Sequence, residues 1–427
     1  MNQEPTTSTT SEPDQAVGIA AFVATTFSAL THPNYRLLWI GAIISNIGTW
    51  IQKVAQPWLI LSLTGSSFLL GLDGFMQDAP LLIFLLFGGA ISDRFNRRDI
   101  LIFSNTVQFL GAAALAVLTF TGKIDVWMIL VISFIVGTVQ SISTPAYLAV
   151  LPSLVSKEHL TNAIALNSLQ FNVSRFIGPA IGGIVIASLG AAWCFGLNAL
   201  SFAGLFTAFY LVQFPAQSTG EARQHSITKS ITEGVTTVWT RPDLFAVVVI
   251  VFFVSFFAGP LLNFVSVVAK ENLNAEAGGF STLLSMFGAG AVVGAVRVAS
   301  LKSDANRHQI VFIAAAILAV MVIVVAVSTV FALSLVLVFL AGYAFVSCGS
   351  VGNTIMQAGV PDELRGRVIS IYALAFRGGL PLGSLLTGTL AETFGVTVAL
   401  AFNGACLLAI LAVAYRKFYA SLVPAKE

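Results

Sequence analysis

Gly89-Ala90-Ile91-Ser92-Asp93-Arg94-Phe95-Asn96-Arg97-Arg98 ends one apolar stretch, Phe68 to Ile91, and leads to the next, Ile100 to Thr119. A chain makes such an edge where it leaves a bilayer and re-enters it on the side that collects Lys and Arg. The same alternation of apolar run and short polar turn recurs along nearly the whole sequence. Hydrophobic residues make up 57% of the chain and charged residues 9%, with a mean hydropathy of +0.90. A soluble domain needs more charge than that to cover its surface. Runs of about 20 apolar residues can cross a hydrocarbon core roughly 30 Å thick, and inside lipid their backbone must satisfy its own hydrogen bonds. The runs are continuous and longer than the ~10 residues of a barrel strand. The prediction is an all-α membrane protein with twelve transmembrane helices.

The spans fall into two sets of six. The expected division is a disordered N-terminal tail over 1–33, a first bundle over 34–213 and a linker over 214–243. A second bundle follows over 244–416, then a C-terminal tail over 417–427. The stretch from Met1 to about Ala16 lacks the basic and apolar regions of a cleaved signal peptide. Within the linker, Ile227 to Trp239 can form a short amphipathic helix. Arg36, Arg94, Arg97, Arg98, Lys157 and Arg223 share one side with Lys229, Arg297, Arg365, Arg367 and Arg416, whereas the other side keeps only Lys123 and Lys270. The positive-inside rule then places both termini and the linker in the cytoplasm of a multi-pass protein of the cell (inner) membrane.

Shifting the sequence by 205 positions (383 − 178) pairs Gly178 with Gly383, Gly183 with Gly388, Gly190 with Gly395 and Asn198 with Asn403. Phe134 pairs with Phe339, Gly137 with Gly342 and Glu158 with Glu363 in the same register. Two six-helix halves of equal orientation imply a pseudo-two-fold axis along the membrane normal, with a path between them.

Two motifs are specific. In the opening stretch, Gly89 allows close helix approach, and Asp93 can sit at the positive end of a helix from the other half. Arg94, Arg97 and Arg98 follow from the positive-inside rule alone; the Gly and Asp at these spacings do not. The second motif is Gly178-Pro179-Ala180-Ile181-Gly182-Gly183 in the fifth span. Its proline opens the helix ladder and its glycines permit tight packing on a helix of the other half, so it is either a hinge or an ordinary Gly/Pro kink.

The first motif resembles, without mismatch, the G-x-x-x-D-R-x-x-R-R loop of the major facilitator superfamily. The second resembles the G-P-x-x-G-G core found in its exporter branches, with Ser174 where a further Gly is expected. Gln56-Pro57-Trp58-Leu59, Asn162 to Ser168 and Val360 to Val368 extend the likeness toward siderophore (enterobactin-type) exporters and macrolide efflux proteins. The resemblance implies the major facilitator fold, with Asp93 latching the outward-facing state against the eleventh helix. It also implies proton-coupled export of amphipathic small molecules by alternating access. One departure stands out: Ser133, four residues before Gly137, occupies the place where drug antiporters often carry an Arg.

Charges within spans are costly and usually functional. They are Lys53, Asp73, Asp78, Arg175 and Arg377. At a rise of ~1.5 Å per residue, Asp78 lies roughly 22 Å from the turn at Asp93. It is expected to bridge Lys53 and Arg377, either as a proton switch between the halves or as a fixed ion pair. Asp73 is expected nearer the periplasm and more easily solvated. Arg175 either attracts an anionic substrate or hydrogen-bonds backbone carbonyls.

The resemblance lines the cavity with the first, fourth, seventh and tenth spans. These offer Asn46, Gln52, Gln56, Gln140 and Tyr147 in one half, and Phe256, Asn263, Tyr343 and Asn353 in the other. Apolar walls with a few amides suit a bulky amphipathic ligand. The expected partners are a small-molecule substrate, membrane lipid and protons, with no nucleic acid, for a chain acting as a monomer. No cofactor, metal site or catalytic residue is expected: the four His sit in loops or at span ends, and no phosphate-cradling loop appears. The alternative is a lysophospholipid or other lipid transporter; a membrane enzyme or sensor ranks below both.

Overall fold

The structure, a computed structural model, describes residues 27–214, 227–301 and 305–422. Within these, the side chains at 83, 85–94, 227–231, 362–363 and 418–422 lie outside the description. Every regular element among the described residues is helical.

The first bundle comprises α1 (Pro33–Thr64), α2 (Ser67–Arg94), α3 (Arg97–Phe120), α4 (Val126–Val150), α5 (Leu160–Leu189) and α6 (Ala191–Leu211). The linker forms α7 (Ile227–Thr240). The seventh pass is α8 (Pro242–Phe253) and α9 (Leu261–Glu271), joined through a π-turn at Val254–Ala258. Then come α10 (Ala277–Ala299), α11 (Arg307–Val327), α12 (Phe331–Ala358), α13 (Asp362–Phe394) and α14 (Val396–Leu422). Ten of these passes are long and apolar enough to cross a membrane. α1 and α2, at 32 and 28 residues, complete the twelve.

Local chemistry sets the helix ends. Pro33 opens α1, where its missing N–H costs nothing, and Gly65 closes it at φ +64. Asn96, Asp125 and Asn306 cap α3, α4 and α11, accepting from Arg98, Trp127 and Gln309 backbone N–H. Pro260 has no N–H to donate to the preceding turn, and that turn widens. The Gly259 N–H there reaches both Val254 O and Ser255 O at 3.2 Å.

Helix packing in one half repeats in the other. α4 packs on α2 as α12 packs on α10, and α3 on α6 as α11 on α14. The turn glycines Gly190 and Gly395 share one backbone conformation, φ +88, ψ 171 and φ +83, ψ 156. Across the halves, α2 runs along α13 and α5 along α10. The tight points are again equivalent: a Cβ on Gly388 would meet Gly71 Cα at 2.9 Å, and one on Gly183 would meet the Ser281 side chain.

Ala29 N–H donates to Asn162 Oδ1 at 2.9 Å, placing the start of α1 beside the start of α5. Glu233 of α7 pairs with Arg367 of α13, and Arg241 donates to Gly359 O at 3.2 Å. These elements mark one face, the linker face; the α1–α2 and α13–α14 turns mark the opposite face. Two boundaries differ from expectation. Ser28–Thr31 forms a 3-10 turn with Ala29 buried, so the predicted tail is already docked there, and α14 continues to Leu422. The predicted tail segment from Met1 to Ala16 lies outside the described residues.

Gly71→Val and Gly388→Val each force a side chain against backbone between α2 and α13, and overpacking of this kind costs about 1–3 kcal/mol. Each is expected to lower the thermal midpoint of the purified protein in detergent. Gly196→Ala, whose Cβ meets nothing within 4 Å, is expected not to lower it. Equal midpoints for all three would contradict the packing.

Candidate functional site

A cavity of about 620 Å³ occupies the linker-face half of the molecule. Its first-bundle walls carry polar groups from Asn46 and Thr49 on α1, Gln108 on α3, Gln140 on α4, and Asn167 and Asn172 on α5. The second bundle contributes Ala295 and Val298 of α10, Ser350 of α12 and Arg377 of α13. Tyr147 donates to Asn167 Oδ1 at 3.1 Å within this wall. Of the residues expected to line the path, Asn46, Gln140 and Tyr147 do so.

Gln52 and Gln56 belong instead to a buried network inside the first bundle. Gln52 Nε2 donates to Gln56 Oε1 at 3.1 Å, and its own Oε1 accepts from Asn198 Nδ2 at 2.6 Å. Gln56 Nε2 contacts Asp73 Oδ1 and Oδ2 at 2.9 and 2.8 Å, and Ser133 Oγ donates to Asp73 Oδ1 at 2.6 Å. Asp73 is 5% exposed, which corrects its expected solvation: neighbouring helices supply its donors in place of water. Ser133, standing where an Arg is often found, is one of those donors. Phe256 lies in the π-turn, its ring 4.8 Å from that of Phe257. Asn263 on α9 faces Gly74 of α2, while Tyr343 and Asn353 are half-buried on α12. None of these four lines the cavity described.

Near mid-depth, three cations gather at the junction of the halves. The Lys53 ammonium lies 4.8 Å from the Trp50 ring centre. The Arg175 guanidinium sits over both Trp50 and Phe171, at 5.2 and 5.1 Å. Arg377 reaches the cavity from α13. Asp78 has Lys53 and Arg377 as its charged neighbours, but forms no direct ion pair with either among the described residues. The expected bridge is therefore a through-space coupling.

The Gly/Pro motif of α5 packs differently from expectation. Gly178 and Gly182 face Trp50 and Ile51 of α1, in their own bundle, and only Gly183 meets the other half, at Ser281. The approach across the halves is completed from α10, where Gly288 lies against the Arg175 and Phe176 backbone. Ser174 and Pro179 are buried within α5. In the basic turn, Arg97 and Arg98 open α3, and Arg98 Nε donates to Phe209 O at 3.1 Å. The side chains of Gly89, Asp93 and Arg94 lie outside the described residues, so the expected latch at α13 does too. Among the described residues no group of three His, Cys, Asp or Glu gathers to hold a metal ion.

Asn167, Asn172 and Gln108 are not among the candidates read from the sequence. A signal for the first two exists as the polar run Asn167, Ser168, Gln170 and Asn172 within one apolar helix, which a lipid-facing surface would not carry.

The opposite face is closed by charges placed at helix ends. Glu392 of α13 accepts from Ser66 Oγ at 3.0 Å and from Phe68 N–H at 3.1 Å, capping the positive end of α2. Lys270 of α9 donates to Leu61 O at 3.2 Å, at the negative end of α1. The second half thus grips the α1–α2 turn with one charge of each sign. Trp58 and Phe280 stack beside it with ring centres 6.3 Å apart.

Residues 24–424 match the transmembrane secretion effector family. The chain belongs to that family, within the major facilitator superfamily. Among its relatives, the multidrug efflux pump Tap of Mycolicibacterium fortuitum is 27% identical over 84% of this chain and 90% of its own. The enterobactin exporter EntS of Shigella boydii is 24% identical over 89% and 90%. The staphyloferrin A transporter of Staphylococcus aureus is 24% identical over 86% and 92%. The nucleoside transporter NupG shares the fold, with a TM-score of 0.73 at 11% identity over 91% of this chain and 99% of that one. These relatives are transporters, not enzymes.

In this chain, Gln56→Leu leaves a buried carboxylate short of its donor, and hydrogen bonds to charged groups are worth about 1.5–3 kcal/mol. A clear fall in thermal midpoint is expected for Gln56→Leu but not for Gln140→Leu, whose side chain faces the cavity. Unfolding of the two variants in the same detergent compares them directly; equal midpoints would contradict the network.

Proposed function

We propose that this chain is a secondary active exporter of amphipathic small molecules, driven by the proton gradient, that works by alternating access between its two bundles. The linker face is cytoplasmic, the membrane is the inner one, and the working unit is a monomer in contact with lipid. The observation that carries this reading is an asymmetry of closure: the cavity lies in the linker-face half, whereas the seam on the opposite face is tight and capped. That arrangement is an inward-facing exporter ready to load from the cytoplasm. The similarity to relatives named as efflux pump, exporter and transporter supports the direction.

The caps are individually weak. The contact between Ser66 and Glu392 is exposed, and a charge at an exposed helix end is worth about 0.3–1 kcal/mol. A closure held by such contacts opens readily, as a turnover cycle requires. Asp78 is the coupling group in this reading. It lies at the junction of the halves beside Lys53 and Arg377, so its protonation removes an attraction that spans both bundles.

Asp78→Asn is expected to abolish proton-driven uptake of substrate into inverted vesicles, with normal insertion in the membrane. Full gradient-driven transport by that variant would overturn the coupling role. Glu392→Gln is expected to raise the reactivity of a Ser281→Cys variant toward an impermeant maleimide about two- to five-fold, the factor that ~0.3–1 kcal/mol represents. The measurement uses a background lacking Cys194, Cys348 and Cys406, and an unchanged rate would remove Glu392 from the closure.

A further inference from the structure

We propose that the space between the bundles binds an organic anion, recognised by Lys53, Arg175 and Arg377. The ligand class is an amphipathic organic anion, its acidic group directed at these cations. This rests on the export reading and deepens it by naming the substrate class.

The argument begins with charge. Lys53 and Arg377 retain exposed surface near mid-depth, and Arg377 borders the cavity. All three cations sense one another electrostatically. Among the described residues none forms an ion pair with a carboxylate. Two acids lie nearby, but Asp73 is already held by Gln56 and Ser133. Asp78 alone remains open to the cluster; with both carboxylates counted, Lys53, Arg175, Arg377, Asp73 and Asp78 leave a formal charge of 3 − 2 = +1. Cations at this depth are costly, and their usual purpose is to meet a charged substrate or ion.

Geometry supplies the second observation. The Arg175 guanidinium is backed by Trp50 and Phe171, and its Nε is buried without a hydrogen-bond partner. A guanidinium held in place by two rings, only partly buried and paired with no carboxylate among the described residues, is preorganised for an incoming acceptor. The amides of Asn167 and Asn172 and the Gln140 side chain share the cavity with Arg377, and the Phe171 ring, which also lines it, offers surface for the ligand's apolar part. Lys53 and Arg175 belong to the first bundle and Arg377 to the second. An anion touching all three spans the seam, so its binding energy differs between conformations, which is what coupling binding to movement requires.

The test uses the full chain in an uncharged detergent at neutral pH, with two fluorescent probes of shared xanthene framework: anionic carboxyfluorescein and a cationic rhodamine. Fluorescence anisotropy is expected to show binding of carboxyfluorescein, weakened by salt, with the rhodamine binding less. Arg175→Gln and Arg377→Gln are each expected to weaken carboxyfluorescein about tenfold or more, the loss of one charge-assisted contact. Arg377→Lys retains the charge and is expected to bind more tightly than Arg377→Gln. Asp78→Asn is expected to tighten binding, a gain that mere structural damage would not produce. Failure of carboxyfluorescein to bind the unaltered chain overturns the proposal, as does undiminished binding by both Gln variants or tighter binding of the rhodamine. Because binding in detergent needs no gradient, failure of proton-driven export in vesicles would sink the export reading while leaving this result standing.

Discussion

A charged side chain cannot face hydrocarbon, and this chain carries five charges deep within its spans: Lys53, Asp73, Asp78, Arg175 and Arg377. That constraint fixes how α1, α2, α5 and α13 are rotated about their own axes. Asp73 turns inward to Gln56 and Ser133, and the other four turn toward the junction of the halves. With those faces committed, the remaining apolar faces go to lipid and to neighbouring helices.

The junction must also be close where it is closed. Hydrophobic burial gives helices little reason to associate in lipid, so contact depends on how nearly their backbones approach. Gly71, Gly183, Gly288 and Gly388 provide that approach between α2 and α13 and between α5 and α10. These contacts and the helix-end caps at Glu392 and Lys270 act at different scales. Close packing sets the path along which the bundles touch, while charges worth little individually hold the opposite face shut.

The two kinds of polar residue near the middle of the molecule differ in the same way. Gln56, Asp73 and Ser133 satisfy one another and give the first bundle a fixed interior. Arg175 and Arg377 are left open, and the unmatched polarity faces the junction rather than the bundle core. An interior that is satisfied supports stability; a surface that is not satisfied is where a ligand gains free energy.

Much of the architecture was legible in the sequence because the bilayer permits so few solutions. Continuous apolar runs had to be helices, and the 205-residue register exposed the repeat that Gly190 and Gly395 now display as one turn conformation. The chemistry-bearing residues were legible for the same reason, since a charge in a span stands out. What the sequence left open was which way each side chain faces and what it meets. Gln56 and Asn46 are both polar residues of α1, yet one is consumed by Asp73 and the other faces the cavity. Gly178 and Gly183 lie five residues apart, yet pack on opposite halves. Hydropathy fixes depth along a helix, whereas rotation about its axis is set by contacts between residues far apart in the chain, and those only the tertiary structure decided.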